Sequence, residues 1–122
     1  MKYIVMIYHD AELWNALKED EQQALMREGG QRWEAAIASG EAILGEPLGS
    51  PASANIVRTR NGITEVTDGP YAESKEQLVG FMLLEVASRE RAVELAKTWP
   101  DAAVGSLVVR QLGDFNANTL DA

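Results

Sequence analysis

Cysteine is absent from this chain of 122 residues, and histidine occurs once, as His9. Without cysteine the protein can form no disulfide, no thiolate nucleophile and no zinc–thiolate centre. A single imidazole with no thiolate is also a poor ligand set for a transition metal. We therefore expect no metal site, and any histidine chemistry near neutral pH has to come from His9.

Basic residues are also scarce. Lys and Arg number 11 against 19 Asp and Glu, which gives a net charge of -8. Nucleic acids and anionic membranes are bound through clustered Lys and Arg, and the sequence has no run of either. We therefore expect neither nucleic acid nor membrane as a partner.

Long hydrophobic runs and the common cofactor motifs are missing as well. Met1 and Lys2 are followed by six mostly apolar residues, which is too few for a signal peptide or a membrane span, so we expect a cytoplasmic location. The sequence contains no nucleophile-elbow, phosphate-loop or dinucleotide-binding glycine motif. We therefore expect no cofactor.

What is present is the pattern of one mixed α+β domain, with 46% hydrophobic and 25% charged residues. Alternating and continuous apolar runs predict strands at 3–8, 42–46, 56–60, 63–67, 78–86 and 104–111. Helical spacing and capping residues predict helices at 10–17, 20–39 and 88–98. We expect a single domain over residues 1–112 and a polar tail at 113–122.

The long second helix has two features that need a structural explanation. Asp20 is expected to cap it, and its apolar face is predicted to include Leu25, Trp33, Ala36 and Ile37. Gly29 and Gly30 interrupt this pattern, and each costs roughly 1 kcal/mol relative to alanine in a helix. Either another element packs closely at this point or the helix bends.

The order of the elements predicts the architecture. Asn61-Gly62 between two alternating strands is typical of a tight hairpin, and without that hairpin the order is βαββαβ, as in a ferredoxin-like sandwich. Two helices cover one face of such a sheet, whereas the strands at 3–8 and 78–86 are apolar on both faces. Exposed apolar faces mark interfaces. We therefore predict an α+β, ferredoxin-like fold with an inserted β-hairpin, which forms a homodimer by face-to-face packing of two sheets, a dimeric α/β barrel.

One loop carries a resemblance to a known family. Met1-Lys2-Tyr3 opens an apolar strand, and residues 66–81 read VTDGPYAESKEQLVGF. Together they resemble the DGPF family of YCII-related proteins over residues 1–112, with Tyr71 where the usual loop has Phe. The resemblance implies the same ferredoxin-like fold and dimeric barrel. Barrels of this kind include muconolactone isomerases, a related dehalogenase and antibiotic-biosynthesis monooxygenases, and DGPF members often accompany extracytoplasmic-function sigma factors.

The resemblance also implies a site that this chain lacks in its usual form. The wider YCII superfamily suggests a His–Asp pair in a cleft, with the histidine on the first long helix. Here that helix has no histidine, and Gly29 or Gly30 occupies about that place. The pair is therefore not transferred, and acid–base candidates have to come from this chain's own residues.

His9 and Asp68 are the catalytic candidates. His9 follows the first predicted strand, where it is either a general base or a surface residue that begins a loop. Asp68 begins the DGPF-like loop, where it either orients His9 or starts a turn through its own backbone. Ligand-binding candidates around these two are Tyr8, Asp10, Trp14, Tyr71 and Glu73. Tyr71 could equally contribute to the dimer contact, and Glu73 could belong to a solvated charged turn.

The tryptophans are assigned by their positions on the predicted helices. Trp33 and Trp99 lie on apolar faces, so we expect them in the core. Trp14, in the short first helix, is the one expected to line a pocket.

Two functions remain open at this point. The first is a small-molecule enzyme with cofactor-free acid–base chemistry, of the lactone isomerase or dehalogenase-like type. The second is a non-catalytic dimeric sensor or accessory module that works with a transcription (sigma) factor. An acidic dimer of that kind would meet a basic protein partner through complementary charge.

Overall fold

A computed structural model describes residues 1–71 and 74–113 of the chain. Its strands are β1 (Lys2–Asp10), β2 (Ala42–Pro47), β3 (Asn55–Arg60), β4 (Ile63–Asp68), β5 (Glu76–Glu85) and β6 (Gly105–Gln111). Its helices are α1 (Ala11–Asn15), α2 (Glu19–Ala38) and α3 (Arg89–Lys97), with 3₁₀ turns at Pro51–Ser53 and Pro100–Ala103. The predicted α+β class is confirmed. The polar tail, apart from Gly113, lies outside the described residues.

The main sheet has four antiparallel strands in the order β2-β5-β1-β6. Strand β1 is central, and Val5 pairs with Met82 of β5 on one side and with Val109 of β6 on the other. The pairing of β1 with β5 is irregular between Ile7 and Tyr8, just before the strand reaches His9. The central strand therefore presents His9 at its carboxyl end, where its pairing with β5 departs from the regular ladder.

Strands β3 and β4 form the predicted hairpin as a separate two-stranded sheet. Asn61 and Gly62 form the turn with φ angles of 54° and 75°, which is the left-handed conformation that a two-residue hairpin turn requires. Asn55 pairs with Asp68 at the open end of the hairpin. Just beyond the hairpin, the peptide bond between Gly69 and Pro70 is cis.

The hydrophobic core lies between the main sheet and helices α2 and α3. Its buried members are Tyr3, Val5, Ala36, Met82, Leu84, Val86, Ala92, Ala96 and Trp99. The indole of Trp33 packs against this core and lies over Gly45 of β2, where an added Cβ would come within 2.7 Å of the ring. A glycine at this position is what allows the indole to come this close to the strand.

Two details of the helices differ from the sequence prediction. Helix α2 begins after Lys18, whose backbone N–H donates to the Glu21 carboxylate at 2.9 Å, so Asp20 lies inside the first turn and is not the cap. Ile37 is exposed, because the helix turns it away from the sheet while the neighbouring Ala36 is buried. The predicted cap of α3 is correct, since Ser88 Oγ accepts from the backbone N–H of Arg91 at 3.1 Å.

The face of the main sheet opposite the helices carries apolar side chains that remain partly or largely exposed. They are Ile4, Met6 and Tyr8 of β1, Leu83 of β5, Leu44 of β2 and Val108 of β6. We refer to these six residues as the open face. Across the described part of the chain, no helix has both the length and the apolar character needed to cross a membrane.

Candidate functional site

The side chain of His9 makes a close contact with a carboxylate far away in sequence. Its Nε2 lies 2.6 Å from Oδ2 of Asp101, across a separation of 92 residues. Strand alternation places His9 on the same side of β1 as Val5 and Ile7, facing the helices. The side chains of the pair are only 18% and 15% exposed, so the pair is shielded but can be reached from solvent.

Asp101 reaches His9 because the chain turns back sharply after α3. Pro100 begins the 3₁₀ turn, and the backbone N–H of Val104 donates to the Asp101 carbonyl at 3.0 Å. The carbonyl of Val104 in turn accepts from the backbone N–H of Asp10 at 2.8 Å. This bond joins the turn to the end of β1, and it thereby holds the carboxylate next to the imidazole.

Trp14 supports the imidazole from its face. The two rings are stacked with centroids 5.2 Å apart and an angle of 23° between their planes. Helix α1 positions the indole, because Asp10 Oδ1 caps the helix by accepting from the Glu12 N–H at 2.9 Å. The carbonyl of Trp14 also accepts from Gln22 Nε2 at 3.0 Å, which ties α1 to α2.

The contact with Asp101 indicates which ring nitrogen of His9 is available. A carboxylate can only accept a hydrogen bond, so the hydrogen between the two groups belongs to Nε2 when Asp101 is ionised. In the neutral ring, Nδ1 then keeps its lone pair. Among the contacts of the described residues, Nδ1 has no hydrogen-bond partner. The geometry therefore leaves Nδ1 as the atom able to accept a proton.

The His9–Asp101 pair lines a cavity of about 490 Å³ between α2 and the main sheet. This volume lies within the range of small-molecule sites. Helix α2 contributes Leu25, Met26, Gly29, Gly30 and Trp33, and Trp14, Ile7, Met82 and Trp99 supply further apolar surface. We refer to this space as the α2 cavity. It combines apolar walls with the hydrogen-bonded His9–Asp101 pair and Glu46, and mostly apolar walls with a few polar groups are the usual composition of a small-molecule site.

The residues described by the structure contain no group of three or more His, Asp and Glu side chains suited to hold a metal ion. A bidentate ion pair lies away from the α2 cavity, where Arg91 of α3 donates from Nε and Nη2 to the two carboxylate oxygens of Glu41, each at 2.8 Å. The hydrogen bonds from Arg91 lower the pKa of Glu41 below its usual value of 4.5. This pair joins α3 to the residue just before β2.

Comparison with known proteins gives the family. The model of the YCII-related domain matches residues 1–116. The chain belongs to the YCII-related domain family. An uncharacterized protein of Rhizobium meliloti (strain 1021) is 32% identical over 122 residues, which is 98% of this chain and 98% of that protein. The predicted relationship to YCII-related proteins is therefore confirmed.

Solved structures similar in outline to this YCII-related protein include a dehydrochlorinase. It is the 5-chloro-2-hydroxyhydroquinone dehydrochlorinase of Burkholderia phenoliruptrix AC1100, in complex with 2,5-dihydroxybenzoquinone. The TM-score is 0.48 at 9% identity, over 93% of this chain and 94% of that chain. A likeness at this level carries no information about the reaction of this chain.

The catalytic candidates of the YCII-related chain are separated in the structure. Asp68 ends β4 in the hairpin, is exposed, and accepts a hydrogen bond of 3.4 Å from Asn55 Nδ2. It does not appear among the described residues that line the α2 cavity. The carboxylate partner of His9 is therefore Asp101 and not Asp68, and a catalytic role of Asp68 stays a sequence prediction.

The predicted ligand-binding residues also divide. Trp14 lines the α2 cavity as expected. Tyr8 belongs to the open face on the other side of the sheet, and the buried Asp10 caps α1, with Lys75 Nζ 3.7 Å from its Oδ2. The exposed Tyr71 lies beneath the Arg58 guanidinium at 5.8 Å, beside the hairpin. Glu73 lies outside the described residues.

The sequence does not predict Asp101 as a site residue, and it predicts only a core role for Trp33 and Trp99. Trp33 and Trp99 pack in or against the core as expected, and they also line the α2 cavity. One sequence feature points to Asp101 as a candidate. It follows Pro100 at the end of a helix, where the chain has to return to the sheet. Nothing in the sequence places that turn against the end of β1.

Proposed function

We propose that the His9–Asp101 pair carries out cofactor-free acid–base chemistry on a small molecule held in the α2 cavity. The observation that carries this proposal is the 2.6 Å contact between the two side chains inside a cavity of about 490 Å³. A histidine oriented by a carboxylate and lining a concave apolar pocket is the arrangement expected of a general base. His9 is the catalytic residue, and Asp101 is the positioning residue.

The proposed step is proton abstraction from carbon. Nδ1 of His9 takes a proton from a C–H bond made acidic by an adjacent carbonyl, and the C–H electron pair becomes an enolate. The Asp101 carboxylate stabilises the imidazolium that forms, through the hydrogen bond to Nε2. Return of the proton at another carbon isomerises an unsaturated lactone. Departure of a halide with its bonding electrons instead completes a dehydrohalogenation.

The test is a proton-exchange assay that uses the full chain. Unsaturated lactones and chlorinated hydroxyquinols are incubated in D₂O, and replacement of C–H by C–D, together with product formation, is followed by NMR. His9→Gln should lower the rate about 10²- to 10⁴-fold, the usual contribution of a general base. Gln23→Ala on the exposed side of α2 is the control and should keep the wild-type rate.

Two outcomes would contradict the proposal. Retained exchange in His9→Gln, with an unchanged melting temperature, would remove His9 from the chemistry. The absence of turnover with every compound, in a protein whose cavity still binds ligands, would favour the second function, a non-catalytic sensor or accessory module.

We further propose that the chain has the ferredoxin-like topology and works as a dimeric α/β barrel. The strand order β2-β5-β1-β6 supports the topology, because without the hairpin it is the order of a βαββαβ sandwich. The open face supports the dimer, because apolar side chains on a central strand are rarely left to solvent. If two copies of the chain packed with their open faces against each other, both open faces would be covered.

A further inference from the structure

Gly29 and Gly30 lie in the middle of the 20-residue helix α2 and line the α2 cavity. Glycine is among the poorest helix formers, so a pair of them calls for an explanation. Neither has a positive φ angle. A Cβ added at Gly29 would meet Asp101 Oδ1 at 3.8 Å and Pro100 Cγ at 3.9 Å, which are ordinary contacts, and one added at Gly30 would meet nothing within 4 Å. Packing among the described residues therefore requires neither glycine.

The lining of the space next to these glycines includes three aromatic residues. The indole rings of Trp14, Trp33 and Trp99 all line the α2 cavity. Aromatic rings pack well against other rings in offset-stacked or edge-to-face arrangements. Bare helix backbone at the two glycines, with indole side chains from α2 and from the neighbouring segments in the same lining, forms a space suited to a flat molecule.

The charged residues around the α2 cavity indicate which net charge a bound flat molecule would carry. Its ionisable lining residues are His9, Glu46 and Asp101, and the lining found in the described part of the chain includes neither Lys nor Arg. The whole chain carries a net charge of -8. Anionic ligands are held in proteins mainly by Arg and Lys, whereas cations are attracted by carboxylates and by the faces of indole rings. An anion therefore finds no counter-charge in this lining.

We infer that the α2 cavity takes a flat ring molecule, either aromatic or conjugated like an unsaturated lactone, that is uncharged or cationic and lies against the helix backbone at Gly29 and Gly30. The inference rests on the proposed function in that it names the ligand class of the same cavity. It makes Gly30 a specificity-determining residue, because any side chain there would occupy the position of the ligand ring.

Three probes with the same ring and different charge test the inference by calorimetry on the full chain at neutral pH. They are indole, which is neutral, tryptamine, which is cationic, and indole-3-acetate, which is anionic. Indole and tryptamine should show saturable binding, and indole-3-acetate should bind at least about tenfold more weakly than tryptamine. Equal or tighter binding of indole-3-acetate, or no saturable binding of any probe, would overturn the inference.

Two variants then locate the bound ring. Gly30→Leu should weaken tryptamine binding at least about tenfold, while its melting temperature stays equal or rises because leucine favours the helix. Gln31→Leu, at an exposed neighbouring position outside the cavity lining, should bind tryptamine like the wild type. If Gly30→Leu does not fold, Gly30→Ala provides the same comparison with a smaller loss. Unchanged binding in the folded Gly30 variant would place the ligand elsewhere and overturn the inference.

Failure of this inference and failure of the proposed function give different results. Calorimetry does not depend on proton transfer. Binding of tryptamine without exchange activity would leave the inference intact and contradict the acid–base proposal. Turnover of an anionic substrate, if that turnover depends on His9, would support the acid–base proposal and contradict the inference about the ligand.

Discussion

The imidazole of His9 and the carboxylate of Asp101 meet at 2.6 Å although 92 residues separate them in the chain. The contact depends on two short segments, the end of β1 and the 3₁₀ turn after α3, which are joined by the hydrogen bond from Asp10 N–H to the Val104 carbonyl.

Asp101→Asn should lower the rate of proton exchange at least about 100-fold. The neutral amide does not stabilise the imidazolium that forms on His9. The amide can also donate a hydrogen bond to Nε2, which favours the tautomer with the proton on Nδ1. The melting temperature should change little, since the side chain keeps its shape. Asp68→Asn is the informative comparison and should stay near the wild-type rate, because Asp68 bonds only to Asn55 among the described contacts. Loss of activity in Asp68→Asn alone would reverse the assignment.

Gly45→Ala should destabilise the fold by about 1–3 kcal/mol, the usual cost of overpacking. The added Cβ would lie 2.7 Å from the Trp33 ring, which cannot move without disturbing the core. Gly49→Ala is the matched control, because its Cβ would meet only Ser53 Oγ at 3.6 Å in an exposed loop. The control should stay within about 0.5 kcal/mol of the wild type in urea unfolding. Equal stability of both variants would show that Trp33 does not lie over β2.

The pairing of Glu41 with Arg91 should make part of the stability depend on acid pH. Since the folded pKa of Glu41 is lowered, the unfolded chain takes up this proton first as the pH falls. The stabilisation is complete above the usual value of 4.5 and is lost as the pH falls through the folded pKa. Glu41→Gln should therefore be less stable than the wild type at neutral pH, and the difference should shrink in acid.

Urea unfolding at a series of pH values measures this difference. Glu94→Gln is the control, because Glu94 contacts the same arginine but is largely exposed, and exposed pairs contribute little. A gap between wild type and Glu41→Gln that does not depend on pH would contradict the assignment.

The open face predicts a dimer that one charge can disrupt. The wild type should sediment as a dimer, and Val108→Glu should sediment as a monomer, because the added carboxylate would be buried without a partner. Val93→Glu on α3 is the matched control, since Val93 is 37% exposed and Val108 is 38% exposed. It should remain dimeric. A monomeric wild type, or dissociation by both variants alike, would place the interface elsewhere.

Local patterns in the sequence predict most of this fold. The Asn61-Gly62 turn, the cap of α3 at Ser88 and the strand run through Leu84 each depend on neighbouring residues, so they can be read without the tertiary structure. The sequence does not predict Lys18 as the cap of α2, because its side chain is not a typical capping group and the bond to Glu21 comes from its backbone.

The candidate site was predicted only in part, for a different physical reason. His9 and Trp14 are near one another in sequence, and the sequence predicts both as site residues. The contact of Asp101 with His9 depends on how the turn after α3 packs against a strand that lies 92 residues earlier. The periodicity of the sequence carries no information about this packing. The sequence favours Asp68 because its loop carries the family resemblance, whereas the fold places it at the end of the hairpin.

The most direct test of the central claim uses the fact that His9 is the single histidine of the chain. A long-range ¹H–¹⁵N NMR spectrum of the imidazole therefore contains one set of ring signals and reports which nitrogen carries the proton. The account predicts a proton on Nε2 and an unprotonated Nδ1 in the neutral ring, with a clear change of this pattern in Asp101→Asn. A proton on Nδ1, or a spectrum that is the same in Asp101→Asn, would contradict the claim that this pair forms an acid–base site.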